Sequence, residues 1–224
     1  MIRAIRGLRA ARCVRLVPLL ALSMSLAAGV PAAHAQVVPN LWSIQLHGGL
    51  FTPIEAGGAS PTAGMRYCKH YSPYLQAGLL TGLTMKSKRL ESPSDSALSG
   101  GTSVELARFD ARLVPIMGFM QVNLTEKLWL VPFVGIGAGY EWLSLHSQDN
   151  RTGLESSAIY GNVAWETYGG LGLRLTPKVR VNGELFYNGG SLERRVPSSS
   201  GLELREAVHV SGVGMRVGLD MIFD

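Results

Sequence analysis

The residues whose types and spacing suggest chemistry are few. Lys69-His70-Tyr71-Ser72 sets an imidazole two residues from a hydroxyl, the pairing by which a base activates a serine nucleophile. The same run continues into Pro73 and Tyr74, and Ser-Pro between two tyrosines is also what a tight turn at an interface uses. The turn explains these residues unaided, so no catalytic residue is assigned. Gly135-Ile136-Gly137-Ala138-Gly139 imitates a dinucleotide-binding loop, but Tyr140 stands where the third glycine belongs and no helix pattern follows. No cofactor is implied. His47, His146 and His209 are scattered and make no metal-ligand set.

A larger constellation is charged. Arg108, Asp110, Arg112, Glu141, Glu166, Arg174, Arg180, Glu184, Arg216 and Asp220 all alternate with apolar residues in extended-looking segments. Charges of both signs at alternate places suggest either a conduction path or an internal network of ion pairs. Which chemistry they do depends on the elements that carry them.

Residues 1–35 open with Arg3, Arg6, Arg9, Arg12 and Arg15, continue through an apolar stretch and end in Ala33-His34-Ala35. That is the pattern of a secretory signal peptide cut after Ala35. Without it, five of the 21 Lys and Arg are lost and 16 remain against 16 Asp and Glu, so the formal charge of +5 disappears. The basic pI therefore gives no reason to expect a nucleic-acid partner. Cys13 leaves with the leader, and Cys68 alone cannot form an intrachain disulfide. The remaining segment, 36–224, has the length of one domain.

Turn signals divide that segment into eight predicted strands, about 42–51, 61–70, 74–87, 103–121, 128–146, 157–175, 179–192 and 206–223. Long polar connections (52–60, 88–102, 147–156 and 193–205) alternate with tight turns at Tyr71–Tyr74, Asn123–Lys127 and Thr176–Lys178. In the fifth strand Val134, Ile136, Ala138, Tyr140 and Trp142 occupy one face, and Gly135, Gly137, Gly139 and Glu141 the other. The same period of two divides the sixth, seventh and eighth strands. In the fourth, Phe109, Ala111, Leu113, Pro115, Met117 and Phe119 oppose Arg108, Asp110 and Arg112.

A water-facing surface would be dense in long polar side chains. Here the polar face is mostly glycine with a few charges, which suits a crowded interior. The apolar face carries Trp42, Tyr140, Trp142, Tyr187 and Phe223 near strand ends, as the aromatic girdles of a lipid-embedded barrel do. The expected fold is all-β, an eight-stranded antiparallel up-and-down transmembrane β-barrel. The ten charges are then predicted to point inward, with Glu141 and Glu166 held by arginines such as Arg174, Arg180 or Arg216. Pro115 and Pro132 each remove a ladder donor inside such a barrel, and bulges or breaks are expected there.

The stretches Val131–Trp142, Tyr168–Tyr187 and Gly214–Asp224 resemble the small outer-membrane β-barrels of the OmpA-like, opacity and OmpW-like superfamily. The closing segment resembles their C-terminal assembly signal, except that Asp224 follows Phe223. The resemblance implies the outer membrane of a Gram-negative bacterium. It also implies outer-membrane lipids, lipopolysaccharide and the assembly machinery as partners. The implied role is a structural or surface-interaction scaffold without enzymatic activity, its loop ligand unspecified, with an OmpW-like small-solute channel as the alternative. His70-x-Ser72 resembles part of the motif of the outer-membrane lipid A deacylases, which continues with Asn where this chain has Pro73.

Overall fold

The computed structural model describes residues 40–55, 57–92, 104–125, 128–150, 152–197 and 203–223. The leader 1–35 and Asp224 lie outside them. Nine strand segments follow one another: β1 (Trp42–Pro53), β2 (Ser60–His70), β3 (Leu75–Ser92), β4 (Val104–Asn123), β5 (Leu130–Asp149), β6 (Leu154–Thr176), β7 (Val179–Pro197), β8 (Glu203–His209) and β9 (Gly212–Phe223). All pairings are antiparallel, and β1–β9, β9–β7 and β7–β6 close the sheet into a ring of eight. Closure leaves no edge in the hydrocarbon, where unpaired backbone groups are costly.

The eighth predicted strand, 206–223, is interrupted at Val210 and Ser211. The β7 register runs unchanged from His209 opposite Ser191 to Gly212 opposite Asn188. β8 pairs with β7 alone, whereas β9 also pairs with β1, so the interruption marks where the wall gains its second neighbour. The segment 147–156, expected as a long loop, is mostly strand. β5 and β6 stay in register up to Asp149 opposite Leu154, and Gly153 takes a left-handed φ of 68° in the turn. Beyond the membrane both faces of a hairpin meet water. The apolar alternation fades there while the hydrogen-bond ladder continues, so the pattern understates the strand.

Neighbouring residues show how sharply the faces separate: Arg216 is 5% exposed and Val217 63%. Among the described residues a cluster of fourteen buried hydrophobic ones, including Phe51, Met117, Phe119, Phe133, Tyr168 and Phe186, fills the interior between the polar groups. They fit because glycines stand opposite them. A methyl on Gly135 would lie 2.3 Å from the Tyr168 ring, and one on Gly214 would lie 2.2 Å from Phe186.

Neither proline introduces a bulge. β4–β5 pairing passes through Pro115 without a shift. On the β3 side the ladder is interrupted between Thr81–Ile116 and Thr84–Leu113, where Pro115 cannot donate, and it resumes in the same register. Thr81 Oγ1 donates to the Pro115 carbonyl at 3.0 Å across that gap. The Pro132 carbonyl accepts from Leu124 N–H at 2.8 Å, so its nitrogen faces the end of β4, where no ladder partner is needed.

Gly214→Ala is expected to lower the unfolding free energy by about 1–3 kcal/mol, because Phe186 must leave its position. Gly183→Ala, whose added methyl meets nothing within 4 Å, should be nearly neutral. Urea titration of the folded barrel, followed by tryptophan fluorescence, measures both.

Candidate functional site: the charged lumen

β1 and β2 contribute their polar faces to the interior: Ser43, Gln45 and His47 from one, Arg66, Cys68 and His70 from the other, all buried. β6, β7 and β9 contribute Glu166, Glu184, Arg180, Arg216 and Asp220. The centre is a ring of two arginines and two glutamates. Arg66 donates both terminal nitrogens to Glu184, at 2.7 and 3.0 Å. Arg216 grips Glu166 in the same two-pronged way, at 3.1 and 2.6 Å, and its Nε donates to Glu184 at 2.5 Å. Arg66 lies 3.6 Å from Glu166, which completes the circuit. Formal charge within it sums to zero.

Strand order decides what this ring does. Glu184 and Arg216 are register partners on adjacent β7 and β9, so that pair only follows the wall. β2 and β6 stand opposite each other, with three strands between them either way. Arg66 and Glu166 therefore meet across the lumen. Aromatic rings cover the guanidinium faces: Tyr168 lies 4.1 Å and Phe119 5.4 Å from Arg66, and Phe186 lies 4.0 Å from Arg216. Water is displaced from the faces while the edges carry hydrogen bonds, an arrangement that suits the flat guanidinium and not an ammonium.

A second pair, Arg180–Asp220 at 2.7 Å, sits nearer the end that carries Trp42 and Phe223 and is again formed by register partners on β7 and β9. Arg174 faces Arg180 across the β6–β7 ladder and lies outside the ring. Glu141 is buried, but its hydrogen-bond donor is Asn188 Nδ2, at 2.8 Å, in place of the expected arginine.

Arg108, Asp110 and Arg112 correct the predicted list. In β4 Leu113, Met117, Phe119, Gln121 and Asn123 are buried, while Ile116 and Met120 are exposed, so the three charges, which share the parity of Ile116 and Met120, face outward. Arg108 and Asp110 pair with each other at 3.0 Å on that outer surface. The sequence reading also missed Arg66. Its signal was available: Arg66, Cys68 and His70 alternate with Met65, Tyr67 and Lys69 in a strand too short to show a clear apolar period.

The His70–Ser72 pair is not assembled. His70 Nε2 lies 3.1 Å from Ser43 Oγ inside the barrel. Ser72 Oγ accepts from the Tyr74 and Leu75 N–H groups at 3.2 and 3.0 Å, capping the turn. Among the described residues no three of His, Cys, Asp and Glu converge as a metal set.

The predicted aromatic residues lie in two tiers on the outer surface. Trp42 and Phe223 are register partners at the terminal end, with the Tyr67 ring stacked 5.0 Å from Trp42. Tyr140 and Trp142 lie toward the other end, their rings 4.7 Å apart, and Tyr187 meets Trp165 at 5.5 Å.

No protein-family model and no curated protein sequence matches the chain. Solved structures do. OprG, an outer-membrane protein of Pseudomonas aeruginosa, superposes with a TM-score of 0.55 at 13% identity over 84% of this chain and 98% of that one. Neisserial surface protein A gives 0.51 at 10% identity over 82% and 96%. Ail, the attachment invasion locus protein of Yersinia pestis in complex with the heparin analogue sucrose octasulfate, gives 0.50 at 12% identity over 83% and 100%.

The fold is that of the small outer-membrane β-barrels. In such a barrel the ring braces the walls across the lumen, since an eight-stranded interior is barely wide enough for its own side chains. Replacing Glu184 by Gln removes the charge that both arginines share, and unpairing a buried charge typically costs about 3–5 kcal/mol. Glu184→Gln is expected to show that loss in urea unfolding, while the exposed Glu155→Gln stays within about 0.5 kcal/mol.

Proposed function

We propose that this chain is a non-enzymatic outer-membrane scaffold with a closed lumen, which meets its partners through the parts of the barrel beyond the membrane. The observation that carries this reading is the Arg66–Glu166 contact across the barrel, inside a ring whose four members are each no more than 5% exposed. A conduction path would have to break a neutral, mutually hydrogen-bonded cluster. The strands that project farthest, β3 to β8, offer long paired hairpins as a rigid display surface, and loops on rigid scaffolds are where binding concentrates.

In this reading residues 1–35 are the exported leader, removed near Ala35. The terminal end with Trp42 and Phe223 faces the periplasm, and the β5–β6 hairpin faces outward. The assembly machinery inserts the chain, and outer-membrane lipids and lipopolysaccharide surround it. The separation of His70 from Ser72 speaks against lipid A hydrolysis. Lipid A acylation, read by mass spectrometry, should be the same in cells carrying the wild type, the Ser72→Ala variant or neither.

One observation favours the small-solute alternative. Beyond the ring, a cavity of about 130 Å³ is walled by Phe51, Leu113, Leu143, Leu145, Val208 and Val210. An apolar molecule could rest there, and Thr84 and Leu113, where the β3–β4 ladder resumes after its interruption, are among the lining residues. Planar-bilayer recording separates the two. The scaffold predicts a barrel with heat-modifiable gel migration and no steady conductance. Steady single-channel conductance by the wild type would overturn closure and favour the channel.

A further inference from the structure

The outward charges of β4 occupy a defined position. Register places Leu83, Val114, Trp142 and Gly161 close to one level across β3, β4, β5 and β6. Met85, Arg112, Ser144 and Ile159 form the next level outward, followed by Ser87, Asp110, His146 and Ser157, then by Arg89, Arg108, Gln148 and Glu155. The outer surface thus changes from apolar to polar and mixed in charge directly above Trp142. At that change Leu83, Met85, Val114, Trp142 and Ile159, with Arg112 and Ser144, line a depression of about 610 Å³. Arg112 and Ser144 also line a second depression of about 210 Å³ just above, with Asp110 and His146.

Charge pairing singles out one residue. Asp110 is engaged by Arg108 at 3.0 Å. Hydrogen bonding from Ser87, with Arg108 beside it, holds the Asp110 carboxyl below its ordinary range, so it remains an anion. Arg112 has no ion-pair partner among the described residues. Its guanidinium stands over an apolar floor at the height where tryptophan marks the membrane interface. A flat guanidinium there matches a phosphate, which it can grip through two hydrogen bonds.

We infer that this groove on β3–β6 is a binding site for one outer-leaflet glycolipid, its acyl chains against Trp142, Val114 and Leu83 and a glucosamine phosphate on Arg112. The apolar floor and the Arg112 guanidinium are both used, which distinguishes this occupant from a soluble phosphate. The inference rests on the outer-membrane reading above and specifies where the lipid sits.

The test uses the full mature chain folded in phosphatidylcholine nanodiscs and titrated with bis-phosphorylated lipid A, adducts being counted by native mass spectrometry. Arg112→Gln should bind about tenfold more weakly, the loss of one charge-assisted contact. Arg112→Lys should fall between, and Arg205→Gln, an exposed charge on β8, should match the wild type. Dephosphorylated lipid A should bind the wild type as weakly as the phosphorylated form binds Arg112→Gln. Equal binding of the two lipids by the wild type, or no loss in Arg112→Gln, overturns the site. Equal competition by phosphatidylglycerol overturns it in favour of a general anionic-lipid surface. Adducts of a second protein copy displacing the lipid overturn it in favour of self-association. Heat-modifiable migration is checked for every variant. A wild type that fails to fold into bilayers overturns the membrane-barrel reading itself, whereas a folded wild type indifferent to lipid phosphate overturns only the site.

Discussion

The charges inside this barrel have no water to fall back on, and that constraint organises the rest of the molecule. A buried carboxylate or guanidinium is tolerable only when its partners are close and its hydrogen bonds are made. Arg66, Glu166, Glu184 and Arg216 meet that condition jointly and not as separate pairs, Arg66 Nε excepted, since Glu184 accepts from both arginines and Arg216 donates to both glutamates. Their rings and glycines follow from this. Phe119, Tyr168 and Phe186 cover the flat faces that cannot hydrogen-bond, and Gly135 and Gly214 give two of those rings their space.

The outer surface obeys the complementary rule. Lipid asks nothing of a side chain except that it be apolar, so Val163, Leu185 and Val217 can be more than 60% exposed without any partner. Glycine on that face is shielded in a different way. The Tyr140 ring lies over Gly161 and the Trp165 ring over Gly189, so the girdle aromatics also cover bare backbone. The change to charge above Trp142 is abrupt because the dielectric changes there within one or two residues.

Much of this was legible from alternation. Strands β5, β6, β7 and β9 each carry apolar residues on one face and glycine or charge on the other, which fixed both the architecture and the inward placement of Glu166, Glu184, Arg180, Arg216 and Asp220. β4 misled because both of its faces are apolar in the middle: Leu113, Met117 and Phe119 fill the lumen while Val114, Ile116 and Met120 meet lipid. With parity ambiguous, the charges were assigned to the polar interior, whereas they belong to a stretch that has already left the hydrocarbon. Arg66 escaped notice for the opposite reason, since β2 has too few apolar residues to announce its faces. The pairing partners themselves are not a property of any one strand. Arg66 and Glu166 are a hundred residues apart in sequence and meet only because the ring closes.

That closure gives the last strand a particular task. Arg216 lies on β9, whereas Arg66, Glu166 and Glu184 lie on segments that precede it in the chain. Until β9 docks between β7 and β1, the nascent interior holds two carboxylates against one guanidinium. An unfinished barrel is therefore electrically frustrated as well as open at its edges. Seating β9 in its correct register relieves both defects, since Arg216 meets Glu184 across β7–β9 and Phe223 meets Trp42 across β9–β1. A slip by one residue would turn Arg216 toward the outer face and leave a buried carboxylate unpaired, so the buried cluster favours the closed register over its neighbours.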